Sequence, residues 1–264
     1  MTTTENQKSV ADLFAAGAHY AYPKARRHPS TKKFIFGTKG PVEIFDIEKT
    51  ADALTRAVEA VQKVAMTGKK VLFVGGKREA QKAVRNLATV AGAPFVAGRW
   101  VGGTLSNFDI IKKRVEKLLT LSEEREQGTL TKYTKKERLL IDRQIKRLEE
   151  MFGGIKTMSQ TPGMLVVVDP KHEKIAIAEA TMLKIPIVAL ANSDCDISTI
   201  TYPIPGSDAN VAAITYVLEQ LTGAYARGAA EAPKKTITME RKPQHEAHTG
   251  GRRLPRSPRP ASRA

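Results

Sequence analysis

The stretch MLVVVDPKHEKIAIAEATMLKIPIVALA, residues 164–191, decides the fold. It opens on one solid apolar run, MLVVVD (164–169), and closes on another, IPIVALA (185–191), with a helix expected over 172–183 between them. Strands that lack polar alternation and are joined through a helix belong to a parallel sheet covered on both faces. Toward the N-terminus, VLFVGG (71–76) is a strand of the same kind, followed by a helix over 77–92 that Gly92 stops. PFVAGRW (94–100) reads as a further strand. VEIFDI (42–47) reads as another, leading into a helix over 48–67 with Ala51, Leu54, Val58, Val61 and Ala65 on one stripe and Gly68 at its end. Toward the C-terminus a last helix, 208–222, repeats Val211, Ile214, Val217 and Leu218. Right-handed crossovers turn this series into an α/β domain with a doubly wound parallel five-stranded sheet, of flavodoxin or Rossmann type.

Residues 105–152 break the rhythm. Two long helical patterns flank QGTLTKYT (127–134), one repeating Ile111, Val115, Leu118 and Ser122, the other Ile141, Ile145, Leu148 and Phe152. Narrow apolar stripes on otherwise charged helices predict an inserted antiparallel coiled-coil hairpin, about 33 Å long for roughly 22 residues. The expected organisation is a first part of the α/β domain with a basic N-terminal loop (1–104), the hairpin (105–152), a second part of the α/β domain (153–228) and a disordered basic tail (229–264).

The chain has 264 residues, enough for one large domain or a domain with an appendage. A single cysteine excludes a disulfide framework and a Cys-based zinc finger. No apolar run approaches the length of a membrane span, and MTTTENQKSVADLF lacks the basic and apolar regions of a signal peptide, so a cytoplasmic protein is expected. The balance is 43 Lys and Arg against 27 Asp and Glu, a formal charge of +16. Residues 234–264 hold nine of the basic and two of the acidic residues, so the rest of the chain is basic as well. The tail reads as a solubilising segment or as an arm lying along phosphates. KARRHPSTKKFIFGTK (24–39) has six basic residues and no acidic one, and beside apolar FIF it is expected to lie under a polyanion.

The turn GGKREA after VLFV suits a phosphate at a helix N-terminus, with Lys77 and Arg78 supplying charge. It is neither a Walker A loop nor GxGxxG, and Arg99-Trp100 stands after the next strand where a ribose-binding acid would be, so a free dinucleotide fits poorly. Trp100 is either a core anchor or a platform for a base or ribose. Asp169, Asp194, Asp196 and Asp208 fall at strand ends or in loops, where carboxylates could hold a hard cation or merely cap helices. Cys195 has no local His partner. No spacing identifies a reaction.

Taken in order, AGAHYAYP, KKFIFGTKGPVEIFDIEKT, VLFVGGKREAQKAV, RWVGGTLSNF, LTKYTKKERLLIDRQIKRLEEMFGGIKTM, PGMLVVVDPKHEKIAIAEATMLKIPIVALANSDCD and YPIPGSDANVAAI resemble the bacterial form of the small-subunit ribosomal protein two family (universal S-two). The resemblance covers nearly the whole expected folded length. It implies a non-enzymatic component of the small (30S) ribosomal subunit that binds its large, 16S-type RNA between head and body. It further implies late entry into assembly, neighbouring small-subunit proteins as partners, ribosomal protein S-one among them, and no homo-oligomer. It departs from the family pattern at Tyr22, where a second His is usual, at Arg27-His28-Pro29-Ser30, and at NSDC and PGSDA, which bear on any Mg or Zn ion near His19, Asp194, Asp196 and Asp208. No cofactor is required.

The expected mode is recognition of RNA backbone charge and shape, since aromatics are few (6%) and no base-reading signature is present. The expected contacts are Lys24, Arg26, Arg27, Lys32 and Lys33 in the loop, Lys77 and Arg78 at the turn, Arg99 and Trp100, and Lys112, Lys113, Lys135 and Lys136 at or near the hairpin ends. Two other readings compete: a Rossmann-like nucleotide enzyme, and a coiled-coil adaptor that binds only proteins.

Overall fold

The computed structural model of the protein describes residues 3–232, and the segment 233–264, with most of the expected tail, lies outside them. Among the described residues five strands form a parallel sheet: β4 (Val71–Val74), β5 (Phe95–Val96), β6 (Met164–Val168), β7 (Ile187–Ala191) and β8 (Tyr202–Pro205). Their order is β5-β4-β6-β7-β8. The chain therefore reverses direction across the sheet between β4 and β6, which is the flavodoxin-like arrangement. Alternate residues serve opposite faces. Val71, Phe73, Val166 and Val188 join one core, and Leu72, Val74, Val167 and Ala189 join the other. Two buried faces are why these strands are apolar throughout.

On the first face lie α2 (Ile47–Met66), α3 (Arg78–Val90) and α7 (Val211–Glu231). The second carries α6 (Lys174–Met182) and the root of the helical hairpin, α4 (Phe108–Glu126) and α5 (Lys135–Phe152). Ile111, Val115, Leu118, Ile145, Leu148 and Phe152 are buried there beside Val96 and Leu105. Ser122 and Ile141, the remaining stripe positions, are half-buried. At 19 residues, α4 is roughly 28 Å long. Thr134 begins α5 with a reciprocal capping box to Glu137, which fixes where the chain turns back. A first helix, α1 (Thr3–Ala15), precedes the sheet and had no counterpart in the expected pattern.

Three expectations need correction. VEIFDI is not a strand of the parallel sheet. Val42–Phe45 is β3, the centre of a small antiparallel sheet between β1 (Tyr20–Pro23) and β2 (Ile35–Lys39). Its burial alternates, Glu43 and Phe45 inward and Val42 and Ile44 half-exposed, as one-sided cover requires. The fifth parallel strand is instead β8, Tyr-Pro-Ile-Pro, whose two prolines are tolerated because it forms the sheet edge. Finally, α7 runs on to Glu231, so the first residues of the stretch 229–264 are helical rather than tail. No helix among the described residues is long and apolar enough to cross a membrane.

Candidate nucleic-acid interface

The basic N-terminal segment lies against the loop that follows β7. It holds two short 3-10 turns, Lys24–Arg26 and Pro29–Phe34, not a free loop. Its backbone is bonded to the sheet rim: the Tyr22 N–H donates to Ser193 Oγ at 3.1 Å, the His28 N–H to the Ser193 carbonyl at 2.8 Å, and the Thr31 hydroxyl to that same carbonyl at 2.9 Å. Two of its cations are matched by the chain's own carboxylates. Arg27 meets Glu43 at 2.6 Å, and Glu43 is wholly buried. Arg26 pairs with Asp194 at 3.1 Å and lies 4.1 Å over the Tyr22 ring. The segment has no acidic residue of its own, and the counterions of Arg26 and Arg27 come from the loop after β7 and from β3. Lys24, Lys32 and Lys33 point outward.

The reversal point between β4 and β6 is where this fold class usually admits a ligand. Here the chain fills it. The Gly76 N–H donates to Glu173 Oε1 at 2.9 Å, so a carboxylate from the start of α6 stands where a phosphate was expected. A Cβ at Gly76 would collide with that carboxylate and with the Gly98 carbonyl, which is why the turn needs glycine. Lys77 turns away from solvent and meets Asp208 at 2.7 Å and Asp169 at 3.3 Å. Burial alone would draw its ammonium down, but Asp208 and Asp169 outweigh burial and hold it charged, well above the ordinary lysine range. Asp169 adopts a left-handed φ of 62° and accepts from the Lys171 and His172 N–H groups, at a strain cost these bonds offset. Lys77 is therefore structural, correcting its place among RNA contacts, while Arg78 beside it is exposed.

Trp100 is likewise corrected to a core anchor. It is 6% exposed, and its indole N–H donates to Glu179 Oε1 at 3.1 Å. Arg99 next to it is exposed. Lys112 and Lys113 are exposed in the first turns of α4 at the hairpin root, and Lys135 and Lys136 are exposed at the start of α5 at its far end. The outward cations thus form two groups, one on the domain and root, one at the hairpin end.

The suggested ion ligands do not assemble. Asp194 is held by Arg26 and by Lys171 at 2.8 Å, Asp208 by Lys77 and by the Asn192 amide at 2.7 Å, and Asp196 caps Ser198. His19 stacks on Phe14, meets the Tyr20 ring at a tilt, and is kept below its ordinary pKa by burial and by Lys39. Among the described residues no group of three or more His, Cys, Asp or Glu is placed to hold a metal ion. Cys195 is buried and its thiol is pushed up to about 12, chiefly by burial. A thiol-reactive disulfide reagent at pH 8 is expected to leave it untouched in the native protein and to titrate it fully in denaturant.

The residues missed from sequence are buried carboxylates: Glu43, Glu173 and Glu179. One signal was present. An acid amid the apolar residues of VEIF or IAIAEATM is a group that burial forces to find partners.

The sequence model of the family described as ribosomal protein S2 matches residues 13–228. The small ribosomal subunit protein uS2 of Sulfurimonas denitrificans is 41% identical over 222 residues, covering 84% of this chain and 86% of that protein. The proteins of the same name from Roseiflexus castenholzii and from a further Roseiflexus species are 39% and 38% identical over 220 residues, each covering 83% of this chain and 84% of the relative.

Proposed function

The chain belongs to the ribosomal protein S2 family, and from that premise we propose that it holds the large RNA of the small subunit through its outward cations, and so serves translation and late subunit assembly. It is a ribosomal protein of the small subunit in the cytoplasm, and not an enzyme. The observation that carries the RNA reading is the sorting of its cations. Lys77, Arg26 and Arg27 are matched by carboxylates of the chain itself, whereas Lys24, Lys32, Lys33, Arg78 and Arg99 are exposed and enter no ion pair among the described residues. A surface that keeps cations unmatched while neighbouring ones are neutralised suits a polyanion. The exposed aromatics Phe14, Tyr20 and Phe36 offer a separate apolar face to a neighbouring subunit protein, such as ribosomal protein S-one.

Filter binding to small-subunit RNA across a salt series tests the reading. Replacing Lys24, Lys32 and Lys33 by Gln is expected to flatten the log–log salt slope by roughly 0.7–0.9 per lost phosphate contact. Stability should move by no more than about 0.5 kcal/mol, because the three side chains are exposed. An unchanged slope would remove these residues from the interface.

A further inference from the structure

From the five hydrogen bonds gathered on one buried carboxylate, we propose that Glu179 is a positioning residue that sets the angle of the helical hairpin on the α/β domain. Glu179 lies in α6 and is 6% exposed. Its Oε1 accepts from the Trp100 indole at 3.1 Å and from the Gly103 N–H at 2.8 Å. Its Oε2 accepts from the Leu105 N–H at 2.9 Å, the Ser106 N–H at 3.0 Å and the Ser106 hydroxyl at 3.2 Å. All of these donors belong to residues 100–106, the segment that leads into α4. The Asn107 side chain that follows makes no capping bond, so the direction of α4 is not fixed by a cap of its own. It is fixed by a carboxylate occupying a nest of N–H groups, much as an anion would. The returning helix of the hairpin is held differently: just past its end, Gly154 sits so close to the Phe95 carbonyl and ring that even one methyl group has no room. One root is thus a steric fit, the other a charged clasp that chemistry can open.

The consequence is mechanical, and its RNA side rests on the reading proposed above. Root cations Lys112 and Lys113 and end cations Lys135 and Lys136 can meet two RNA segments at once only if the arm keeps one angle. Glu179 makes that angle a property of the free protein. Burial pushes its carboxyl up, but the N–H groups of Ser106, Leu105 and Gly103 and the Trp100 indole outweigh burial and hold it below the ordinary glutamate range. A depressed carboxyl contributes fully above the unfolded pKa, and the contribution is lost as pH falls through the folded value. The clasp should therefore hold at neutral pH and open only in acid, below the ordinary glutamate range.

The test is a distance measurement by pulsed electron resonance on the full chain. Spin labels go on Glu126→Cys, at the far end of α4, and Val90→Cys, at the exposed end of α3. Cys195 is buried and should take no label. The background protein at pH 7 is expected to give one narrow distance distribution, Glu179→Gln a broad one, and acid to broaden the background protein alone. If Glu179→Gln lowers expression of folded protein, Ser106→Ala removes one donor with almost no change in volume, and Ser106→Ala combined with Trp100→Phe removes two at the cost of some core volume; both should broaden the distribution, the double variant more. Footprinting on small-subunit RNA supplies the second readout. Glu179→Gln should lose the protections nearest the hairpin end and bind about tenfold more weakly, while keeping those nearest the domain. A distribution as narrow in all of these variants as in the background protein overturns the inference. Should the background protein leave no footprint while the distances still respond, the RNA reading fails and the positioning role stands.

Discussion

Replacing Lys77 by Met should lower stability by about 3 kcal/mol, the low end of what removing one partner from a buried ion pair costs. The substitution keeps an unbranched stem of nearly the same length and removes the ammonium with its charge and its hydrogen bonds. Asp208, 1% exposed in its side chain, and Asp169 would then face each other across the rim with no cation between them. Asn192 would still donate to Asp208, which is why the loss stays near the lower bound. In a chain of this size 3 kcal/mol corresponds to a fall of roughly 6–12 °C in the melting temperature. Calorimetry reads it directly. A Lys77→Met protein that melts like its parent, but binds RNA poorly, would mean that Lys77 faces phosphate after all.

Arg27→Met should cost about as much, near 3 kcal/mol, because Glu43 is left wholly buried with its charge unmatched. Glu43 Oε2 already lacks a hydrogen-bond partner among the described residues, so Arg27 is the support of that carboxylate. Removing both members, Arg27→Met with Glu43→Leu, is expected to recover most of the loss, since apolar replacement of a buried pair is often close to neutral. Lys32→Met, five residues away and exposed, should leave stability within about 0.5 kcal/mol. Denaturant midpoints for the four proteins separate the cases. If Arg27→Met and Lys32→Met were equally mild, the inward and outward classes of cation would not be distinct.

These two results bear on how far the sequence could be read. The βαβ units were legible because a sheet buried on both faces needs apolar residues at every strand position, as in MLVVV and IVALA. The membership of the sheet was less so. VEIF has the length and apolar content of a strand, but its burial alternates and it serves a different sheet. Tyr-Pro-Ile-Pro looks like a loop until an edge position removes the objection to proline. The hairpin stripes were visible since their buried positions recur at helical spacing over many turns. The candidate site was legible by residue type only. Arg26 finds Asp194 across 168 positions, and Lys77 finds Asp208 across 131. No local pattern announces such a pairing, so a basic run looks uniformly available when two of its six cations are already neutralised. The same distance hid Glu179, whose donors lie more than 70 residues before it.

Sorting by ion pairing therefore carries the proposed function: cations matched by the chain's own carboxylates hold the fold, and the unmatched ones are the proposed RNA contacts. Crosslinking of isolated small subunits, followed by mass spectrometry of the peptides joined to RNA, tests this most directly. The expected map places crosslinks on Lys24, Lys32, Lys33, Arg78 and Arg99 and on the hairpin lysines, and leaves Arg27, Lys77 and Trp100 unmodified. Crosslinks concentrated on Lys77 and Trp100, with the exposed lysines bare, would contradict it.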